Sequence, residues 1–282
     1  MHPQEFLQQA ATLMGAVLKF DQTAELVLLR HYRANPKLGA RDRAMVTNAV
    51  FRVLRYKNLF EAQAKAAPRG MGTMERKLAI LGLQEHVEMF DRGLTDIERE
   101  WLSVCSKVDI EALSDDLPAE QKHNLPVWLG DKLQREMGAH FWPLALAMLE
   151  PASLDIRTNT LKMKTPQLLE QLKSEGLEVE PARHAPDALR LRGKPNLKKH
   201  PLYEQGFFEV QDEGSQLIAL LTQANRNEVV VDYCARAGGK TLALGEMMSG
   251  RGRLYALDTA VARLEALKPR LERSGLNNVY PM

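Results

Sequence analysis

Between Val229 and Thr241 the chain sets a short apolar run against a pair of glycines, and an aspartate, Asp258, follows downstream. Val229, Val230 and Val231 are β-branched and continuous, as in a parallel strand covered on both faces, and Asp232 ends the run. Tyr233, Cys234, Ala235, Arg236 and Ala237 then lead into Gly238 and Gly239, whose missing Cβ atoms let a ligand approach the backbone. Lys240, Thr241, Leu242, Ala243, Leu244 and Glu246 read as a helix whose free N–H groups point back at that ligand. A second strand, from Arg253 to Leu257, closes on Asp258, about 20 residues after the turn, where a carboxylate can grip ribose hydroxyls. The ligand that these residues suit is a nucleoside.

Elimination narrows its kind. A phosphate-cradling loop needs a glycine five residues before Gly239, and Cys234 stands there instead. A dinucleotide fingerprint needs Gly-x-Gly-x-x-Gly, whereas Gly238 and Gly239 are adjacent and Lys240, Thr241 and Leu242 follow. What remains suits S-adenosylmethionine, which carries ribose hydroxyls and an ammonium-carboxylate tail but no phosphate. The same residues also suit an ordinary strand-to-helix turn with glycines for close packing.

The elements around this segment belong to an ordinary globular chain. Of 282 residues 45% are hydrophobic, 26% charged and 6% aromatic, enough for roughly two or three domains. Two cysteines argue for a reducing compartment, and no secretory leader or long apolar span is evident, so a cytoplasmic protein with no membrane partner is expected. No metal site is expected, and oligomeric state is not legible. The net charge of +2 hides an asymmetry: residues 1–70 hold 11 Lys and Arg against 5 acids, and residues 71–120 hold 5 against 12. Apolar positions recur at helical spacing from Ala10 to Arg30 and from Arg41 to Tyr56, with Val46, Val50, Val53 and Leu54 on one face and Arg41, Arg52 and Arg55 opposite. That basic face could track phosphates or simply be solvated.

The middle of the chain reads as a small α+β unit. Leu154 to Asn159 alternates as a strand, Thr165 caps a helix with Pro166 at its first position, and Gly176 stops it. Leu177 to Glu180 and Ala188 to Leu191 read as strands. From Arg183 to His200 six basic residues face one acid, and Arg190, Arg192, Lys194, Lys198 and Lys199 form the densest basic patch. No paired aromatic platform accompanies it, so it suits phosphate contact better than base reading, or a basic surface without a partner.

Two longer motifs carry a resemblance. Asp232-Tyr-Cys-Ala-Arg-Ala-Gly-Gly-Lys-Thr241 is similar to the D-x-C-A-A-P-G-G-K-T cofactor motif of the RsmB/Sun family of RNA cytosine methyltransferases. Gly206-Phe-Phe-Glu-Val-Gln-Asp-Glu-Gly-Ser-Gln216 resembles that family's G-x-F-x-V-Q-D-x-x-S-Q segment. Leu125-Pro-Val-Trp-Leu129, Ile156-Arg-Thr-Asn159 with Leu161 and Lys162, and Arg41-Asp-Arg-Ala44 with Val53-Leu-Arg55 match more loosely. The resemblance implies an all-α NusB-like domain over residues 1–122, a small α+β, RNA-recognition-like linker domain over 123–204, and the first part of a Rossmann-like methyltransferase domain over 205–282. It implies S-adenosylmethionine as cofactor, RNA, in particular ribosomal RNA, as partner, and methyl transfer to carbon 5 of a cytosine. Cys234, Ala235, Arg236, Ala237, Gly238, Gly239 and Lys240 would form the cofactor loop, and Asp258 would hold the ribose.

The chain departs from the family in two places. Arg236 and Ala237 replace Ala-Pro, which leaves the loop without a fixed φ. Carbon 5 of cytosine becomes nucleophilic only after a thiolate adds to carbon 6, and neither cysteine present aligns with the family's nucleophile. Cys105 lies in the apolar run Trp101-Leu-Ser-Val-Cys105, and Cys234 matches the cofactor loop's own cysteine. No catalytic residue is therefore expected within the chain, which is expected to end inside a third strand and to be inactive alone. A non-catalytic, antitermination-like RNA-binding module is the competing reading.

Overall fold

The computed structural model describes residues 2–107, 117–193 and 195–282, which form two compact units, 1–150 and 151–282. The first unit is helical throughout its described residues. Its helices are α1 (Pro3–Val17), α2 (Ala24–Ala34), α3 (Ala40–Arg55), α4 (Lys57–Lys65), α5 (Met74–Leu83), α6 (Val87–Phe90), α7 (Asp96–Cys105), α8 (Ala119–His123), α9 (Val127–Met137) and α10 (Phe141–Ala147). The face read on α3 is the one buried: Val46, Val50 and Val53 are core residues and Leu54 packs against them. The helical spacing from Ala10 to Arg30 is divided between two helices, because Phe20 takes a left-handed φ of 56° and Thr23 caps α2 by accepting the Leu26 N–H.

α5 lies at the centre of this unit, with Leu78, Ala79, Ile80, Leu81 and Leu83 all buried. At Gly82 a Cβ would stand 2.8 Å from the Ala49 carbonyl oxygen, so the glycine sets how closely α5 approaches α3. Thr95 and Glu98 form a reciprocal capping box at the start of α7, and Glu98 also takes both a 2.6 Å and a 3.0 Å hydrogen bond from Arg76 of α5. Cys105 is buried at the end of α7, as its apolar run implied.

The second unit holds two sheets. β1 (Leu154–Thr158), α11 (Thr165–Ser174), β2 (Val179–Pro181), β3 (Ala188–Leu191), α12 (Pro201–Glu204) and β4 (Phe208–Val210) build an antiparallel sheet in the order β2-β3-β1-β4. The strands and helix read from 154 to 191 appear with shifts of one or two residues. Thr165 is the first helical residue of α11, and its hydroxyl bonds Asp187 at 2.9 Å instead of capping the helix. Next come α13 (Glu213–Leu221), β5 (Val229–Asp232), α14 (Gly239–Met247), β6 (Arg253–Ala256), α15 (Val261–Ser274) and β7 (Val279–Pro281), with β5, β6 and β7 parallel and adjacent in that order.

Val229 to Val231 do form a strand, but it is not covered on both faces. Val229 and Val231 remain 66% and 53% exposed. Successive right-handed crossovers between neighbouring parallel strands put their helices on one side. Val230, Leu254, Ala256 and Val279 accordingly pack with Leu242 and Leu244 of α14 and Leu267 of α15, while Tyr255 and Tyr280 stack 5.6 Å apart on the open face.

A buried ion pair fastens the antiparallel sheet to α14. Arg157 of β1 reaches both oxygens of Glu246, at 3.1 and 2.8 Å, with the two side chains 6% and 5% exposed. Burial pushes the Glu246 carboxyl up against the pull of Arg157, so the guanidinium is what keeps a charge tolerable there.

Two measurements check these fastenings. Arg157→Met leaves the Glu246 charge buried and unpaired, and urea unfolding should show a loss of about 3 kcal/mol, part of it recovered in the Arg157→Met/Glu246→Gln double variant; a loss below ~1 kcal/mol would show the pair to be solvated. In the helical unit, burial opposes ionisation of Glu98, but Arg76 and the Thr95 N–H outweigh it and hold the carboxyl below its ordinary value of 4.5. A carboxyl lowered on folding contributes stability that is complete above 4.5 and is lost as pH falls through the folded value. Between pH 6 and pH 3, Glu98→Gln should therefore lose less stability than the unsubstituted chain; an equal loss would remove Glu98 from the acid transition.

Candidate functional site

The glycine turn is built by four short bonds. The Leu257 N–H donates to the Asp232 carbonyl at 2.8 Å and the Ala235 N–H donates to the Leu257 carbonyl at 2.9 Å, which stitches the ends of β5 and β6 together. Gly238 caps α14 in the left-handed region at φ 83°, where a Cβ would also lie 2.1 Å from Leu267 Cδ1, so this position accepts only glycine. The Thr241 hydroxyl donates to Asp232 at 2.7 Å and ties the first turn of α14 to the strand end. The first intrahelical bond is Leu242 N–H to Gly238 carbonyl, so Gly239, Lys240 and Thr241 present N–H groups with no i−4 acceptor.

The loop's carbonyls are held away from those N–H groups. Arg157 donates to the Gly239 carbonyl at 3.0 Å and also bonds Gln211. Arg270 of α15 donates to the Ala237 carbonyl at 2.6 Å, while Glu209 accepts from Arg270 at 2.9–3.0 Å and forms an ion pair with Arg273 at 2.7 Å. Glu209 and Gln211 belong to the Gly206–Gln216 segment, so that motif acts on the loop through two arginines. Asn159 bonds the Gly206 and Ser274 carbonyls at 2.9 Å each, and Lys162 bonds the Gln205 and Arg273 carbonyls. Together they close the carboxyl end of α15.

Asp258 stands where the β6 strand ends. Its Oδ2 accepts the Arg236 N–H at 2.9 Å, and its Oδ1 accepts the Ala260 N–H at 2.9 Å and faces Arg263 at 3.4 Å. The Ala260 N–H foremost, then that of Arg236 and the Arg263 guanidinium, hold the carboxyl below its ordinary value. Oδ2, with one bond, retains a lone pair, whereas both lone pairs of Oδ1 are engaged. Arg236 pays for its place with a left-handed φ of 52°, unusual for a residue with a Cβ.

A cleft of about 310 Å³ opens here, lined by Tyr233, Cys234, Arg236, Leu257, Asp258 and Arg263 among others. Of the expected cofactor loop, Cys234, Arg236 and Asp258 thus come together at the cleft. Ala235 and Gly238 are buried behind it, Ala237 and Gly239 serve through their carbonyls, and Lys240 is exposed. Cys234 is exposed.

The expected RNA-facing residues divide. Arg41 is exposed on the first turn of α3, but Arg52 pairs with Glu85 at 2.7 Å and lies over the Phe60 ring, and Arg55 is half-buried. Arg190 is committed to Asp155 at 2.8 Å and Glu213 at 3.1 Å. Arg192, Lys198 and Lys199 are exposed, and Lys194 lies outside the described residues. The sequence reading missed Arg157, Arg263 and Arg270. Arg157 stands inside a motif it had singled out, whereas Arg263 and Arg270 sit on an amphipathic helix where nothing distinguished them from solvated charges. No group of His, Cys, Asp and Glu suited to a metal occurs among the described residues, and none of their helices is long and apolar enough to cross a membrane.

Comparison with known proteins agrees with this geometry. Residues 125–198 match the ferredoxin-like domain of the RsmF/B-like methyltransferases, and residues 219–281 match the family described as 16S rRNA methyltransferase RsmB/F. A probable ribosomal RNA small subunit methyltransferase B of Synechocystis is 30% identical over 161 residues, 56% of this chain and 36% of that protein. A 25S rRNA (cytosine-C(5))-methyltransferase of Arabidopsis thaliana is 29% identical over 124 residues, covering 44% of this chain and 22% of that protein. A solved methyltransferase homologue from Pyrococcus horikoshii, 26% identical, superposes with a TM-score of 0.53 over 58% of this chain and 54% of that one. The matched stretch spans about a third of the first of these relatives, 36% of its length. The two family matches lie in order along the chain, and the second, to the RsmB/F methyltransferases, spans the clamped glycine turn.

Proposed function

We propose that this chain contributes the cofactor-binding part, and RNA-contacting parts, of an enzyme that transfers a methyl group from S-adenosylmethionine to carbon 5 of a cytosine in ribosomal RNA. The observation that carries the reading is the cleft beside the clamped glycine turn, with an ionised carboxylate, Asp258, fixed at its wall. The chain fits the cofactor: Asp258 keeps a lone pair on Oδ2 for a ribose hydroxyl, and the free N–H groups of the first turn of α14, with Lys240 nearby, suit the carboxylate of the methionine tail. Bound there, the cofactor supplies an electrophilic methyl group. Cys234 and Arg236 line the same cleft. The cytosine assignment follows the relative named for cytosine-C(5) methylation.

Within this reading the helical unit contains the NusB-like domain, residues 1–122, the linker domain runs from 123 to 204, and residues 205–282 start a Rossmann-like domain. Arg41, Arg192, Lys198 and Lys199 are the exposed cations left to track RNA phosphates. Arg52 and Arg190, already paired, contribute to folding first. Neither described thiol suits attack on a base. Burial pushes the Cys105 thiol up to about 11, and Cys234 faces the cofactor cleft. The activating thiolate is assigned to sequence beyond these residues, and this chain alone is expected to be inactive.

Titration calorimetry with S-adenosylmethionine tests the cofactor site. Binding should be weak, and Asp258→Ala should weaken it about tenfold or more by removing charge-assisted bonds; unchanged affinity would move the site elsewhere. Methyl transfer from labelled S-adenosylmethionine to unmodified ribosomal RNA should be absent with this chain. Transfer that disappears in Cys234→Ser would make Cys234 the nucleophile and overturn the assignment. An RNA-binding module without enzymatic descent would bind the RNA and show no cofactor heat at all.

A further inference from the structure

The charged side chains of the cleft wall are not all paired. Two are guanidinium groups, Arg236 and Arg263, and one is a carboxylate, Asp258. Arg263 faces Asp258 at 3.4 Å, so that carboxylate is already matched. Arg236 makes no ion pair and no side-chain hydrogen bond among the described residues, and its left-handed backbone and the bond from its N–H to Asp258 fix where the side chain leaves the loop. A free cation is therefore anchored at the mouth of the site.

From this we propose that Arg236 is a specificity-determining residue that makes the cleft discriminate by the charge of its ligand's sulfur, holding the neutral thioether S-adenosylhomocysteine more tightly than the sulfonium S-adenosylmethionine. The inference rests on the cofactor reading above. The two ligands share the adenosine and the amino-acid tail and differ by one methyl group and one positive charge. Contacts to ribose and tail cancel in the comparison, and the interaction of Arg236 with the sulfonium does not. Across a cleft of about 310 Å³ every ligand atom lies within a Debye length of the loop, so like-charge repulsion of the sulfonium separates the two ligands, the tail ammonium being common to both. The consequence for turnover is a site that retains its product until fresh donor or salt displaces it. The neutral alanine of the related cofactor motif lacks this repulsion.

The test is the ratio of the two dissociation constants, measured by calorimetry at low and high salt for this chain, Arg236→Gln, Arg236→Lys and, as a distant charge control, Lys268→Gln. At low salt Arg236→Gln should bring the ratio about threefold or more toward the sulfonium ligand, Arg236→Lys should leave it nearly unchanged, and the difference should shrink in high salt. A ratio that is the same in Arg236→Gln, or that moves as far in Lys268→Gln, overturns the proposal while leaving the cofactor site intact. If neither ligand binds the unsubstituted chain, the cofactor reading itself fails and takes this inference with it.

Discussion

Each peptide in a glycine turn that offers N–H groups to a ligand also carries a carbonyl, and those carbonyls need partners elsewhere. Here one buried arginine and one half-buried arginine supply them. Arg157 takes the Gly239 carbonyl and is itself neutralised by Glu246, and Arg270 takes the Ala237 carbonyl and is neutralised by Glu209. Removing a cation from this arrangement would strand a carboxylate in the interior, and removing a carboxylate would strand a cation. The loop's shape therefore depends on charges contributed from β1, β4, α14 and α15, far apart in sequence.

The same dependence explains why the motif before the first parallel strand accompanies the glycine turn. Glu209 and Gln211 do not reach the cleft; they hold the arginines that hold the loop. Asn159 and Lys162 fasten the far end of α15, which keeps Arg270 and Arg263 at their stations. Preorganisation of this kind lowers the cost of ordering a loop when a ligand arrives. Arg236, which lacks proline's fixed φ after it, is instead held by its own N–H on Asp258.

Much of this was legible in the residues. The β-branched run, the paired glycines and Asp258 located the strand, turn and second strand because each has a local signature. The burial of Val46, Val50 and Val53 followed from helical spacing for the same reason. Coverage of Val229 and Val231 was not legible, since a continuous apolar run reads alike whether helices flank one face of a strand or both. Nor were the roles of Arg52, Arg190 and Arg270, which look like solvated cations until a carboxylate distant in sequence is found against them. Charge runs carry no record of their partners, and here two of the five expected phosphate-facing arginines, Arg52 and Arg190, are committed to ion pairs within the fold.

Backbone amide shifts on adding S-adenosylhomocysteine to the isotopically labelled chain test the account most directly. The preorganised loop predicts perturbations concentrated at Tyr233 to Lys240 and at Asp258 to Arg263, with the α14 and α15 helices otherwise still. Saturable binding that leaves Arg236, Gly239 and Asp258 unmoved, and shifts amides elsewhere, would contradict it.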